Sequence, residues 1–262
     1  MKNLKFLFAF AFSAVLPSCL DTEEKIVLND DNSGTYSMTL DMGKMLSMAA
    51  SMGGGDKSEP EKVKEKKDTT VYLKDMVNSA DNLTPEEKAI FQNAVISIKM
   101  DEAQNEMKIV MSSPFGNAAG LMEIKKNFGT VLNKLKAFEK ASGEQAKAGD
   151  GVGDMKMDAN SANPVEDQFT FKSGPGLISN TITDIQAFKD KVASDSTLGM
   201  MSQMTALMGD INYNTIIVLP KAVKKYDGPG STITEDKRTL HFATTLTEMM
   251  EHPEKVSYKV EY

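Results

Sequence analysis

The sequence predicts an α+β fold: repeated hairpin–helix units forming an antiparallel sheet with helices packed on one face. Three observations carry this. β-rich runs come in pairs around turn-forming clusters. Stretches with apolar residues at helical spacing follow these pairs. Three further strand-like runs close the chain, so the order is hairpin–helix three times, then three strands. Such an order suits an antiparallel sheet covered on one side.

The elements follow in chain order. Lys25–Asn29 and Thr35–Leu40 flank Asp30-Asp31-Asn32-Ser33-Gly34, a hairpin whose second run alternates Tyr36, Met38 and Leu40 with Thr35, Ser37 and Thr39. Asp41 reads as the N-cap of a helix with Met42, Met45, Leu46, Ala49 and Met52 along one stripe, stopped by Gly53-Gly54-Gly55. A charged loop spans 56–68, then the short run Thr70–Lys74. Thr84-Pro85-Glu86-Glu87 opens a helix with a capping box and proline in its first turn. Val95–Met100 and Met107–Met111 form the second hairpin, which Pro114 is expected to end. Asn117–Lys140 is the longest helix, with Leu121, Ile124, Phe128, Val131, Leu132, Leu135 and Phe138 on one face. Gln168–Lys172 and Leu177–Thr183 surround Ser173-Gly174-Pro175-Gly176 as the third hairpin, followed by a helix from Asp184 to Met208, broken near Gly199. The closing strands are Asn212–Leu219, Thr239–Thr245 and Lys255–Tyr262, with Tyr226-Asp227-Gly228-Pro229-Gly230 in a loop.

These elements divide the chain into a leader at 1–18, a tether at 19–25, an N-terminal α+β portion at 26–141 and a C-terminal one at 165–262. Between them, 142–164 is rich in Gly, Ala, Asp, Lys and Asn and reads as a flexible linker. The two portions either fold separately or form one continuous domain.

Composition excludes several functions. A net charge of −7 argues against nucleic acid as a partner. Arg238 is the one arginine, which leaves almost no bidentate guanidinium recognition of phosphate or carboxylate. The single cysteine, Cys19, permits no internal disulfide.

Lys2 and Lys5 precede an apolar run from Phe6 to Leu16, too short for a spanning helix, which needs ~20 residues, but of signal-peptide length. The run ends Leu16-Pro17-Ser18-Cys19, which resembles a lipobox, the cleavage and lipidation site of bacterial lipoproteins. That resemblance implies a mature chain starting at a lipidated, palmitate-type Cys19, held at the cell envelope by lipid alone. Stable anchoring wants more than one acyl chain, and the lipoprotein modification supplies several. Leu20-Asp21-Thr22-Glu23-Glu24-Lys25 is similar to the acidic signal that takes Bacteroidetes-type lipoproteins to the outer leaflet, so an outer-membrane lipoprotein is expected, either periplasmic or surface-exposed.

A second resemblance rests on the Asn29-to-Gly34 turn followed by Thr35-Tyr36, and on Asn214-Thr215-Ile216-Ile217-Val218-Leu219-Pro220-Lys221-Ala222-Val223. These look like the LppM-type lipoprotein domain. It implies a lipid-anchored envelope protein of poorly defined role and supplies no catalytic residues.

The remaining candidate sites each have a structural reading. Asn29, Asp31, Ser33 and Gly34 match the opening of an EF-hand loop, but its bidentate twelfth position is Leu40, so a hairpin turn explains them better. Of nineteen methionines, Met200, Met201, Met204 and Met208 are the densest group; they suit core packing, or a Met-lined apolar groove, better than copper. His241 and His252 have no ligand or triad spacing around them, and no carboxylate pair stands out among 37 acids. The expectation is therefore a non-enzyme without metal or cofactor that binds an envelope partner or has a structural role in the envelope. The alternative is a carrier holding a lipid or other apolar ligand between the sheet and the Met-rich helices.

Overall fold

The computed structural model describes residues 21–44, 66–136, 169–194, 209–228 and 231–262, with positions 47, 199, 202 and 205. The leader, Cys19, most of the helix expected after Asp41, the linker at 142–164, Phe138 and Met200, Met201, Met204 and Met208 lie outside the described residues.

The α+β class is as expected. The described strands are β1 (Asp21–Leu28), β2 (Gly34–Asp41), β3 (Lys66–Tyr72), β4 (Val95–Asp101), β5 (Glu106–Phe115), β6 (Phe169–Gly174), β7 (Leu177–Ile182), β8 (Asn212–Val218), β9 (Lys225–Asp227), β10 (Ser231–Ile233), β11 (Thr239–Thr245) and β12 (Tyr258–Glu261). The described helices are α1 (Lys74–Ser79), α2 (Pro85–Phe91), α3 (Ala118–Lys134), α4 (Ile185–Ser194) and α5 (Leu246–Glu251).

Eight strands form one sheet in the order β10-β11-β8-β1-β2-β5-β4-β3. Its pairings are antiparallel except between β1 and β8, which run parallel with Ile26 opposite Ile217. A second, four-stranded sheet has the order β6-β7-β12-β9. The core face of the large sheet carries Ile26, Tyr36, Ile96, Ile109, Met111 and Leu240, all buried, while Lys25, Lys99 and His241 on the opposite face are exposed. Alternation along each strand makes this division, because successive side chains point to opposite faces.

Helix α3 covers one part of the core face. Phe128 meets Tyr36 edge-on at 5.2 Å and Phe91 of α2 at 6.0 Å. The second sheet covers the neighbouring part, with Phe242 of β11 stacked on Tyr258 of β12 at 4.6 Å. Ile26, Ile178, Ile217 and Val260 thus belong to one buried cluster drawing on both sheets.

Several element boundaries differ from expectation. The tether expected at 19–25 is not free chain beyond Leu20, because Asp21–Lys25 form the start of β1 between β2 and β8. Asp41 ends β2 as well as accepting a hydrogen bond from the Gly43 N–H at 3.1 Å. The charged loop expected through residue 68 ends sooner: Lys66, Lys67 and Asp68 belong to β3, an edge strand on which charge blunts further pairing. Pro114 does not end β5, which continues to Phe115. There β5 has outrun β4, whose last pairing is Val95 with Ser112, so the missing N–H leaves no gap in that ladder.

Helix α3 stops at Lys134 rather than Lys140, and Lys136 takes a left-handed conformation with φ 49°. Tyr226 and Asp227 lie in β9 rather than in a loop, held by the pairing of Tyr226 with Val260. The last strand starts at Tyr258, after α5 and a 3-10 turn at Pro253–Val256. Thr84 caps α2 through the expected box, accepting from the Glu87 N–H while the Glu87 carboxylate accepts from the Thr84 N–H.

Candidate functional site

Where β1, β8 and β11 of the large sheet face β6, β7 and β12, a cavity of about 60 Å³ remains. The core-face phase of β1 and β8 puts polar residues here instead of apolar ones. Thr22 and Glu24 occupy the same face as Ile26 and Leu28, and Tyr213 and Thr215 the same face as Ile217. Asn180 of β7 closes the other side. Phe169, Met38 and Met249 supply apolar walls.

The electrostatics of this corner centre on a buried ion pair. Lys125 of α3 reaches the Glu24 carboxylate, the two side chains being 2% and 12% exposed. The other Glu24 oxygen lies 3.5 Å from the Thr215 hydroxyl. The Lys125 ammonium also lies 4.9 Å from the centre of the Phe171 ring and 5.6 Å from that of Tyr36, within the range of cation–π attraction. A charge this deep is tolerated only with its partner and these ring faces around it.

Three buried oxygens on the cavity wall have no hydrogen-bond partner within the described protein: Thr22 Oγ1, Asn180 Oδ1 and the Tyr213 hydroxyl. Thr22 is 3% exposed. Burial, together with the charge of nearby Asp210, pushes the Tyr213 phenol well above its ordinary range, so it stays protonated. Orphaned buried polar atoms are uncommon, each costing ~1–3 kcal/mol, and three on one small cavity mark it out. The arrangement can hold a small polar group by hydrogen bonds.

The residues singled out from the sequence lie elsewhere. Asp31 organises the first turn, accepting from the Ser33 N–H at 2.9 Å and the Ser33 hydroxyl at 2.6 Å, while the Asn29 amide donates to Ser33 at 2.9 Å. These hydrogen bonds hold the Asp31 carboxyl below its usual range. Gly34 is needed where β2 begins, since a Cβ there would lie 1.9 Å from the Val27 carbonyl oxygen. Leu40 points into the core at 6% exposure. His241 is exposed on β11, and His252 ends α5 with its ring 3.4 Å from Glu254. Among the described residues no group of three or more His, Cys, Asp or Glu could hold a metal ion, and no helix is long and apolar enough to cross a membrane.

The cavity residues run from Thr22 to Tyr258 along the chain, and Glu24 and Thr215, which meet there, are 191 positions apart. A signal for them was present: Glu24 keeps the phase of Ile26 and Leu28, and Lys125 falls inside the apolar stripe of Leu121, Ile124 and Phe128. A charge in core phase on two elements announces a buried pair.

No family model matches the chain, and no curated protein matches it. Among solved structures it is similar to the NMR structure of the folded domain of the Mycobacterium tuberculosis LppM protein. The identity is 9%, 94% of this chain and 91% of that chain are covered, and the TM-score is 0.38. A likeness of this size supports no functional conclusion.

Proposed function

We propose that this is a lipid-anchored protein of the bacterial cell envelope, acting by binding or by structural support rather than by catalysis. The observation that carries the reading is the leader: an apolar run from Phe6 to Leu16 that ends at Cys19. Strand β1 then begins at Asp21, so Leu20 alone separates the acylated residue from the folded domain. One or two residues extend at most ~7 Å, which would hold the β1 end of the large sheet against the headgroups. Outer-membrane residence, with export to its outer leaflet, is the finer part of the proposal. Of the acidic residues behind it, Glu24 also serves the core through Lys125.

The apolar-carrier alternative would hold its ligand against the Met-rich helices, which lie outside the described residues, so the described cavity bears only on a ligand between the two sheets. A site for a lipid or similar ligand needs a cavity of ~300 Å³ or more. The one between the sheets is about 60 Å³ and has polar oxygens on its wall.

Membrane fractionation of Cys19→Ala against the wild type, with intact-mass measurement, tests the proposal. Wild type should partition with membranes and carry acyl mass, and the variant should be released. A variant that stays with the membrane, beside a wild type without acyl mass, refutes the anchor.

A further inference from the structure

We propose that the cavity between the two sheets is a binding site for the primary ammonium group of a small amine. The donor count is the first reason. Asn180 Oδ1 can only accept, and the hydroxyl oxygens of Thr22 and Tyr213 each have acceptor capacity. All three lack a hydrogen-bond partner among the described residues. An –NH₃⁺ group offers three N–H donors, one for each oxygen, whereas a neutral hydroxyl offers one and a quaternary ammonium none.

The walls and the charges agree with this. Phe242 and Tyr258, stacked at 4.6 Å, and Phe169 line the cavity, and aromatic faces attract cations. The two lysines at the site are already matched: Lys125 by Glu24, and Lys255 by Glu248 at 2.8 Å. Asp210 adds negative potential beside Tyr213 and takes its own hydrogen bonds from backbone N–H groups of Ile211 and Thr247. A cation therefore enters a corner whose positive charges are compensated and whose nearest extra charge is negative.

Size sets the limit on the ligand. A cavity of about 60 Å³ has room for a small group such as a terminal –CH₂–NH₃⁺ but is far below the ~300 Å³ of a site that encloses a drug-sized ligand. The rest of the amine would extend past exposed Lys255 at the rim.

The test uses the full chain in a non-ionic detergent, with thermal unfolding followed during titration at constant ionic strength. The probes are methylammonium, methanol and tetramethylammonium. Methylammonium should raise the midpoint saturably, as a ligand specific for the native state does. Methanol and tetramethylammonium should give no saturable rise. Tyr213→Phe removes one oxygen and keeps the ring, so it should weaken methylammonium about tenfold, ~1.4 kcal/mol, without lowering the unliganded midpoint. Thr22→Val should weaken it similarly; should that variant not fold, Tyr213→Phe decides alone. An equal response to methylammonium and tetramethylammonium, an unchanged affinity in Tyr213→Phe, or no saturable response, as expected if ordered water alone occupies the cavity, would overturn the site.

Discussion

Replacing Lys125 by Met strands the Glu24 carboxylate in the core. The Glu24 side chain is 12% exposed, and its remaining contact is the Thr215 hydroxyl at 3.5 Å, too long to replace a charged partner. Breaking a buried pair from one side costs ~3–5 kcal/mol, because the desolvation of the survivor is no longer offset. With a urea m-value of about 3 kcal/mol/M, that is a midpoint shift of ~1–1.7 M. Glu24→Leu should do similar damage by leaving Lys125 uncompensated. The two changes together should not add: Lys125→Met with Glu24→Leu replaces the pair by apolar side chains and should fall within ~1 kcal/mol of wild type. Urea denaturation of the four proteins, followed by circular dichroism, closes the cycle. A silent Lys125→Met, or a double variant as weak as the sum of the singles, would show that the pair is not buried in the way described.

Two other outcomes are expected. Phe242→Ala removes the ring stacked on Tyr258 at the junction of the two sheets and should cost ~3 kcal/mol, the low end for such a change because Phe242 is half-buried, while Lys259→Ala on the exposed face of β12 should stay within ~0.5 kcal/mol. A silent Phe242→Ala in chemical denaturation would remove the second sheet from the core. Glu87, hydrogen-bonded to Lys134 at 2.7 Å, has its carboxyl held below its ordinary value of 4.5 mainly by that bond, so its contribution is present above that value and is lost as pH falls through the lower folded pKa. Stability measured from pH 6 to pH 3 should therefore fall less steeply in Glu87→Gln than in wild type, and parallel curves would contradict it.

Local chemistry was legible in the chain. The Asn29–Gly34 turn, the Thr84 capping box and the alternation of Tyr36, Met38 and Leu40 are short-range patterns, and each forms as read. The stripe from Leu121 to Leu135 is buried for the same reason, since spacing along one helix sets which residues share a face. Local preference is overridden where a distant partner pairs with the segment. Charged Lys66–Asp68 become strand only because β4 lies alongside, and Tyr226 because β12 does.

The sequence by itself determined the α+β class, the three hairpins and the core face of β2, because these depend on periods of two and 3.6 residues. Only the tertiary structure decided that β1 runs parallel to β8, that a second sheet shares the cover with α3, and that Thr22, Glu24, Asn180 and Tyr213 meet around one cavity. The β1–β8 pairing joins residues 191 positions apart, such as Asp21 and Asn212, and the free energy that selects it is shared burial between elements, which no single segment encodes.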